Sequence, residues 1–289
     1  MTEGHPLRAG LWMLAAIGSF STMAVAGREV SFAHDTFEIL LYRSIVSFCI
    51  VLVIGGATGA LRQVNTQNMR LHLLRNTSHF IGQNLWFYAL ALLPLAQVIS
   101  LEFTSPIWVA LLAPLVVGEA LTRRSGLAAL VGFIGVVIVV RPEIGGLSPP
   151  MFAALGSAVG FAFSALFTRK LTRTASITCI MFWLTLMQAI MGLICAGLDG
   201  QIALPTAPAM PWLALIGLSG LSAHFCLSSA LSLAPATTVM PMDFLRLPVL
   251  TLIGLLLYGE PVDALVILGA ALIFAANWLN LSPSRRFKR

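Results

Sequence analysis

Charge is scarce in this sequence. Asp, Glu, Lys and Arg make up 10% of the 289 residues, while AVILMFWYC make up 58%. Soluble domains typically carry about 25% charged residues. So little charge cannot cover a water-facing surface, which excludes a soluble enzyme, and so apolar a composition excludes a disordered chain. Cysteine is sparse too. Cys49, Cys179, Cys195 and Cys226 all lie in apolar runs without CxxC or metal-ligand spacing, and read as small core residues. There is no HExxH, P-loop, GxSxG or dinucleotide fingerprint. Without a P-loop or a soluble domain the chain cannot itself be an ATP-driven pump. No cofactor, metal or nucleic-acid partner is expected, and the expectation is that the chain is not an enzyme.

What the sequence has instead is long apolar runs. A membrane-spanning helix needs roughly 20 mainly apolar residues. Ten stretches qualify, at about 9–27, 37–57, 71–92, 95–117, 125–140, 150–169, 177–197, 211–233, 236–258 and 263–281. Pro94 and Pro235 punctuate two very short connections, Pro142, Pro149 and Pro150 a third, and Gly197, Asp199 and Gly200 a fourth. Ala24-Val25-Ala26 resembles a signal-cleavage site, but nine further spans follow and the segment has a counterpart later in the chain, so it is expected to be retained.

The basic residues report topology. With both termini in the cytoplasm, only Arg28 and Arg141 fall on outer loops and Arg43 and Arg246 inside spans. Every other Lys and Arg, Arg75 included, falls on the inner side, as the positive-inside rule requires. The formal charge of +6 therefore reflects orientation, not a nucleic-acid surface.

Sliding the chain by 141 positions lays 94–119 on 235–260 without a gap. Pro94 meets Pro235, Phe103 meets Phe244, Glu102 meets Asp243 and Gly118-Glu119 meets Gly259-Glu260. The same shift sets Arg28 on Arg169. Each half, 1–145 and 146–289, then holds five spans. An odd number forces the second half to enter the membrane from the opposite side. Inverted repeats of this kind build many secondary transporters, with the solute near the midplane.

Ionisable groups inside the membrane are functional candidates. Arg43 and Glu102 lie about 9 Å and 10 Å below the outer surface on 1.5 Å rise per residue, a level at which they are expected to neutralise each other. Asp243 and Arg246, three apart, are expected to pair. Three readings stay open: structural pairs, a cavity for a charged or zwitterionic solute, and proton coupling through Glu102 or Asp243. Arg246, about 15 Å from the inner surface, is expected to engage an acidic group of the solute, with Asp243 orienting it or binding an amine. A second polar cluster comprises His79, Gln83, Asn84, Trp86 and Tyr88, with His79, Gln83 and Trp86 at i, i+4, i+7 on one helix face. Gln83 maps onto His224, and Ser222 and Ser228 add to the same span. These residues bind the solute or hydrogen-bond between helices. Pro106, Pro114, Pro241 and Pro248 kink spans four and nine and are hinge candidates. Glu119, beside Arg123 and Arg124, and Glu260 sit at opposite membrane faces as structural or gating groups.

These features resemble the EamA branch of the drug/metabolite transporter superfamily. The resemblance rests on ten spans, the five-plus-five repeat, Gly-Glu closing spans four and nine, PIWVALLAPLVVGE and GFIGVVIVVRP between Pro106 and Pro142, and LLLYGE in the second half. It implies an all-α, multi-pass protein of the bacterial inner membrane. Such a protein moves a small-molecule solute across the lipid bilayer by alternating access, with protons a candidate coupling ion and a monomer as the unit. The first expectation is export of an amino-acid-like metabolite. The alternative is import of a vitamin or nucleoside-like compound. An integral-membrane enzyme or an assembly factor would be a different class.

Overall fold

A computed structural model describes residues 6–116, 123–140, 148–172, 174–198, 200–233 and 240–281. Among these residues the regular structure is helical, without a strand. The helices are α1 (Pro6–Val30), α2 (Thr36–Ala57), α3 (Met69–Leu92), α4 (Leu95–Glu102), α5 (Ser105–Val116), α6 (Arg123–Val140), α7 (Pro149–Leu171), α8 (Ile177–Ala196), α9 (Met210–Leu233), α10 (Arg246–Tyr258) and α11 (Ala264–Leu281). Short 3₁₀ turns occupy Ala60–Gln63 and Met240–Leu245. Where an expected span is a single helix, its ends agree with the observed helix to about one turn.

Local chemistry sets several boundaries. Asp35 opens α2 with a capping box: its carboxylate accepts from the Glu38 N–H at 2.8 Å, and Glu38 accepts from the Asp35 N–H at 3.3 Å. Ser176 caps α8 by accepting from the Cys179 N–H at 3.2 Å. Pro149 and Pro150 occupy the first turn of α7, where a missing N–H costs nothing. Gly259 ends α10 with φ +62°, a left-handed conformation that suits glycine.

Helices α1, α2, α7, α8 and α9 each contain a stretch long and apolar enough to cross a membrane. Helix α3 is as long as α9 but more polar, and its polar side chains turn inward: His72, Arg75, Asn76, His79 and Gln83 are all buried. The helices pair α1 with α9, α3 with α7, α2 with α8, α6 with α11 and α4 with α10. Exchanging the two halves of the chain interchanges the first two pairs and maps α2–α8 and α6–α11 onto themselves. Glycines allow the closest approaches. A Cβ on Gly160 of α7 would lie 2.8 Å from the Gly82 Cα of α3, and one on Gly135 of α6 would lie 2.7 Å from the Gly269 carbonyl oxygen of α11. Gly156, one turn away on α7, faces α3 as well, with a Cβ there 3.0 Å from Leu85 Cδ1, so the two form a small-residue face at GxxxG spacing.

Spans four and nine are not single kinked helices. Helix α4 stops at Glu102 and α5 starts at Ser105, with Thr104 Oγ1 donating back to the Leu101 carbonyl at 2.7 Å. The second break is the 3₁₀ turn Met240–Leu245, from which α10 begins. Pro106 lacks the N–H that would reach back to the Glu102 carbonyl, and Pro248 lacks one for residue 244. Each break therefore sits just before a proline. Pro114, by contrast, lies inside α5 without breaking it.

Candidate functional site

The breaks put charge in the interior. Glu102 ends α4, Asp243 lies in the 3₁₀ turn and Arg246 opens α10. The Arg246 guanidinium bridges both acids, at 2.8 Å to Glu102 and 2.9 Å to Asp243. Phe20 and Phe103 lie over the guanidinium, with ring centroids 5.0 Å and 5.3 Å away. The second Glu102 oxygen accepts from the Trp86 indole N–H at 2.8 Å. The expected Asp243–Arg246 pair is present. The expected Arg43–Glu102 pair is not: equal depth does not ensure that two side chains point at each other, and Glu102 turns to Arg246 and Trp86. Trp86 is buried against the edge of Phe87 and tied to this carboxylate, so it does not present a free ring for stacking.

Arg43 instead donates to the Gln83 side-chain oxygen across α2 and α3. It passes close to Gly220 of α9, where a Cβ would lie 3.0 Å from its Nε. Below this contact along α3, His79 meets His224 of α9, ring centroids 5.1 Å apart, with Phe161 and Phe20 flanking the two rings. One turn further, Arg75 donates to Asn76 at 2.9 Å and to Thr168 of α7 at 3.1 Å. Asn76 in turn donates to the Trp183 carbonyl of α8. The structure therefore brings together His79, Gln83, His224 and Arg43, and adds Arg75, His72 and Asn76. Ser228 is half-buried one turn along α9 from His224. Tyr88 is 42% exposed on the outside of the bundle and does not join the group, because a two-residue step from Trp86 turns it well away from that face. The continuing i, i+4 step from Gln83 through His79 back to Arg75 was the available signal for Arg75.

Near the end of the bundle where α1 finishes, a third polar group ties the halves. Arg28 donates to the Leu90 and Leu93 carbonyls and pairs with Glu260. Glu260 also accepts from the Leu95 N–H at 2.9 Å, which satisfies an orphan donor of α4. Tyr258 donates to Glu29 at 2.9 Å and lies under the Arg28 guanidinium. Glu119 lies outside the described residues, and so do the side chains of Pro106, Pro241, Arg123 and Arg124. Pro248 is exposed in an apolar cleft of about 920 Å³ that also includes Leu252, Phe274 and Trp278. That cleft offers little to recognise a polar solute. The polar interior is the candidate site.

A helical multi-pass membrane protein with broken helices and charge at the breaks has the architecture of a solute carrier. The sequence profile of the EamA-like transporter family matches residues 7–141 and again 148–282, and the chain belongs to that family. It is a transporter of the bacterial inner membrane, not an enzyme. It is 30% identical to a riboflavin transporter of Rhizobium johnstonii, over 99% of this chain and 95% of the relative. It is 29% identical to a riboflavin transporter of Vibrio cholerae, over 98% and 97%. An S-adenosylmethionine uptake transporter of Rickettsia bellii is 25% identical over 92% and 90%. A solved crystal structure shares the fold with a TM-score of 0.64, at 20% identity over 94% of this chain and 96% of that one. Amino-acid export, the first expectation from sequence, finds no support among these relatives.

Proposed function

We propose that the protein is a secondary importer of a vitamin- or nucleoside-like metabolite. The two halves, 1–145 and 146–289, are inverted five-helix repeats that rock about the broken spans, with both termini cytoplasmic. The observation that carries this reading is the buried polar stripe of α3, facing His224 of α9, in a chain whose relatives are named for riboflavin and S-adenosylmethionine. His79 and Gln83 lie about 15 Å and 21 Å along α3 from Met69, bracketing the midplane of a 24-residue helix. The pairing of helices across the halves and the double family match support the repeat. Thirteen basic residues on the inner side support the orientation, as does Arg28 at the opposite end.

In this reading His79, Gln83, His224 and Ser228 face the solute. Glu102, Asp243, Arg246 and Trp86 lock the two breaks together, and Pro106, Pro241 and Pro248 let the half-helices pivot. Glu260 closes the outer end. Full-length protein in liposomes loaded with unlabelled riboflavin or S-adenosylmethionine is expected to accumulate the matching labelled solute by counterflow. Absence of counterflow for both, from protein shown to be folded, would refute the proposed substrate class.

A further inference from the structure

Four arginines of the described interior are buried: Arg28, Arg43, Arg75 and Arg246. A buried cation without a counter-charge is costly, and structural arginines inside a membrane protein are expected to be paired. Two of the four follow that rule, Arg28 with Glu260 and Arg246 with Glu102 and Asp243. Arg43 and Arg75, each 4% exposed, do not. Among the described residues neither has a carboxylate within ion-pair distance. Their protein partners are neutral: Gln83 for Arg43, and Asn76 and Thr168 for Arg75.

The two unpaired cations share one lane. Arg75 and Gln83, to which Arg43 is bonded, are about 12 Å apart along α3. His79 lies between them and meets His224. Polar atoms here lack protein partners: Nε of Arg43, Nε2 of His79 and Nε2 of His224. Buried polar atoms are nearly always satisfied, so a cluster of them around two unpaired cations marks a place built for a ligand.

We propose that this lane between α2, α3, α8 and α9 is an anion-binding subsite, in which Arg43 and Arg75 supply the counter-charge for a carboxylate or phosphate group of the transported solute. His79 and His224 offer ring nitrogens beside it. The inference rests on the import reading and narrows its substrate to heterocyclic metabolites that bear an acidic group. Arg246 is not the solute's arginine, because two carboxylates already neutralise it.

The test uses full-length protein in lipid nanodiscs and two matched pairs of probes. Riboflavin and riboflavin 5′-phosphate differ by a phosphate, and S-adenosylmethionine and its carboxamide differ by a carboxylate. In at least one pair the member that bears the acidic group is expected to bind about tenfold or more tightly than the partner that lacks it. The pair that shows the preference identifies the acid. Arg43→Gln and Arg75→Gln are expected to bring that ratio close to one, with Arg75→Lys retaining part of it. Equal affinity within both pairs would overturn the subsite and leave the import reading standing. Failure of all four probes to bind would overturn both. A preference that survives in both folded Gln variants would also overturn the subsite. Where a variant fails to fold, the wild-type ratio alone decides.

Discussion

Glu102 carries more contacts than any residue around it would suggest from its place in the chain. It is the last residue of α4, and its two oxygens are taken by Arg246 and by Trp86. Hydrogen bonds to a charged group are worth about 1.5–3 kcal/mol. Trp86→Phe keeps the buried ring and removes only the N–H, so it is expected to lower stability by about 1–2 kcal/mol, read as a lower melting temperature in detergent, while solute affinity changes little. Arg246→Gln is the harsher change. It strips the cation from two buried carboxylates and is expected to cost about 3–5 kcal/mol. Adding Glu102→Gln and Asp243→Asn should recover much of the lost melting temperature, because no uncompensated charge remains. A triple variant no more stable than the single one would show that the three residues are not one electrostatic unit. At this scale the residue types and the Asp243–Arg246 pair were legible, and the other partners were not. Depth arithmetic gives a height along a helix but not the direction a side chain faces, and Arg43 and Glu102 at one level take different partners. Arg75 was hidden for a related reason. Its place near the expected cytoplasmic end of α3 makes it a topology marker, whereas the stripe it continues is what buries it.

Elements were legible where the bilayer dictates them. Hydrocarbon thickness sets the length of a spanning helix, and Ser148, Ser176, Asp35 and Gly259 stand at helix ends that their chemistry favours. The breaks in spans four and nine were legible only as kinks. A proline removes one donor, and surrounding side chains then decide whether the helix bends or stops; here Glu102, Asp243 and Arg246 gather at the stops. The GxxxG spacing of Gly156 and Gly160 does not reveal which glycine meets backbone and which a side chain. Gly160 meets the α3 backbone, so Gly160→Val is expected to wedge α3 and α7 apart. The penalty for overpacking of this kind is about 1–3 kcal/mol or more. Gly18→Ala is the control, since a Cβ there meets nothing within 4 Å. Thermal melts of both variants in detergent provide the check. Equal melting temperatures would mean that the α3–α7 approach relaxes without cost.

At the scale of the whole molecule, the Arg28–Glu260 pair joins the first half of the chain to the second at the end where α1 and α10 finish. The 141-residue shift that superposes the halves carries Arg28 to Arg169 and Glu119 to Glu260. In the proposed inverted repeat, the same operation would turn the Arg28–Glu260 pair into an Arg169–Glu119 pair at the opposite end. Two clasps related by the repeat, only one of which can close at a time, would give the transporter two states of similar energy, each open to one side. Loss of one clasp then biases the balance towards the state held by the other. An arginine–carboxylate pair of this kind contributes about 1–3 kcal/mol, which is enough to invert a near-even population. Spin labels at Phe32→Cys and Val262→Cys, both exposed just beyond α1 and α10, report the separation at that proposed outer end in a background lacking the four native cysteines. Glu260→Gln is expected to lengthen that distance, because it releases the outer end. Glu119→Gln is expected to keep it short, because it weakens only the competing state. If Glu119→Gln lengthened the distance, or if Glu260→Gln left it unchanged, the two pairs would not be alternating clasps. Arg28 and Glu260 would then be a fixed brace at that end of the bundle, and the motion between halves would have to be sought at the breaks in spans four and nine alone.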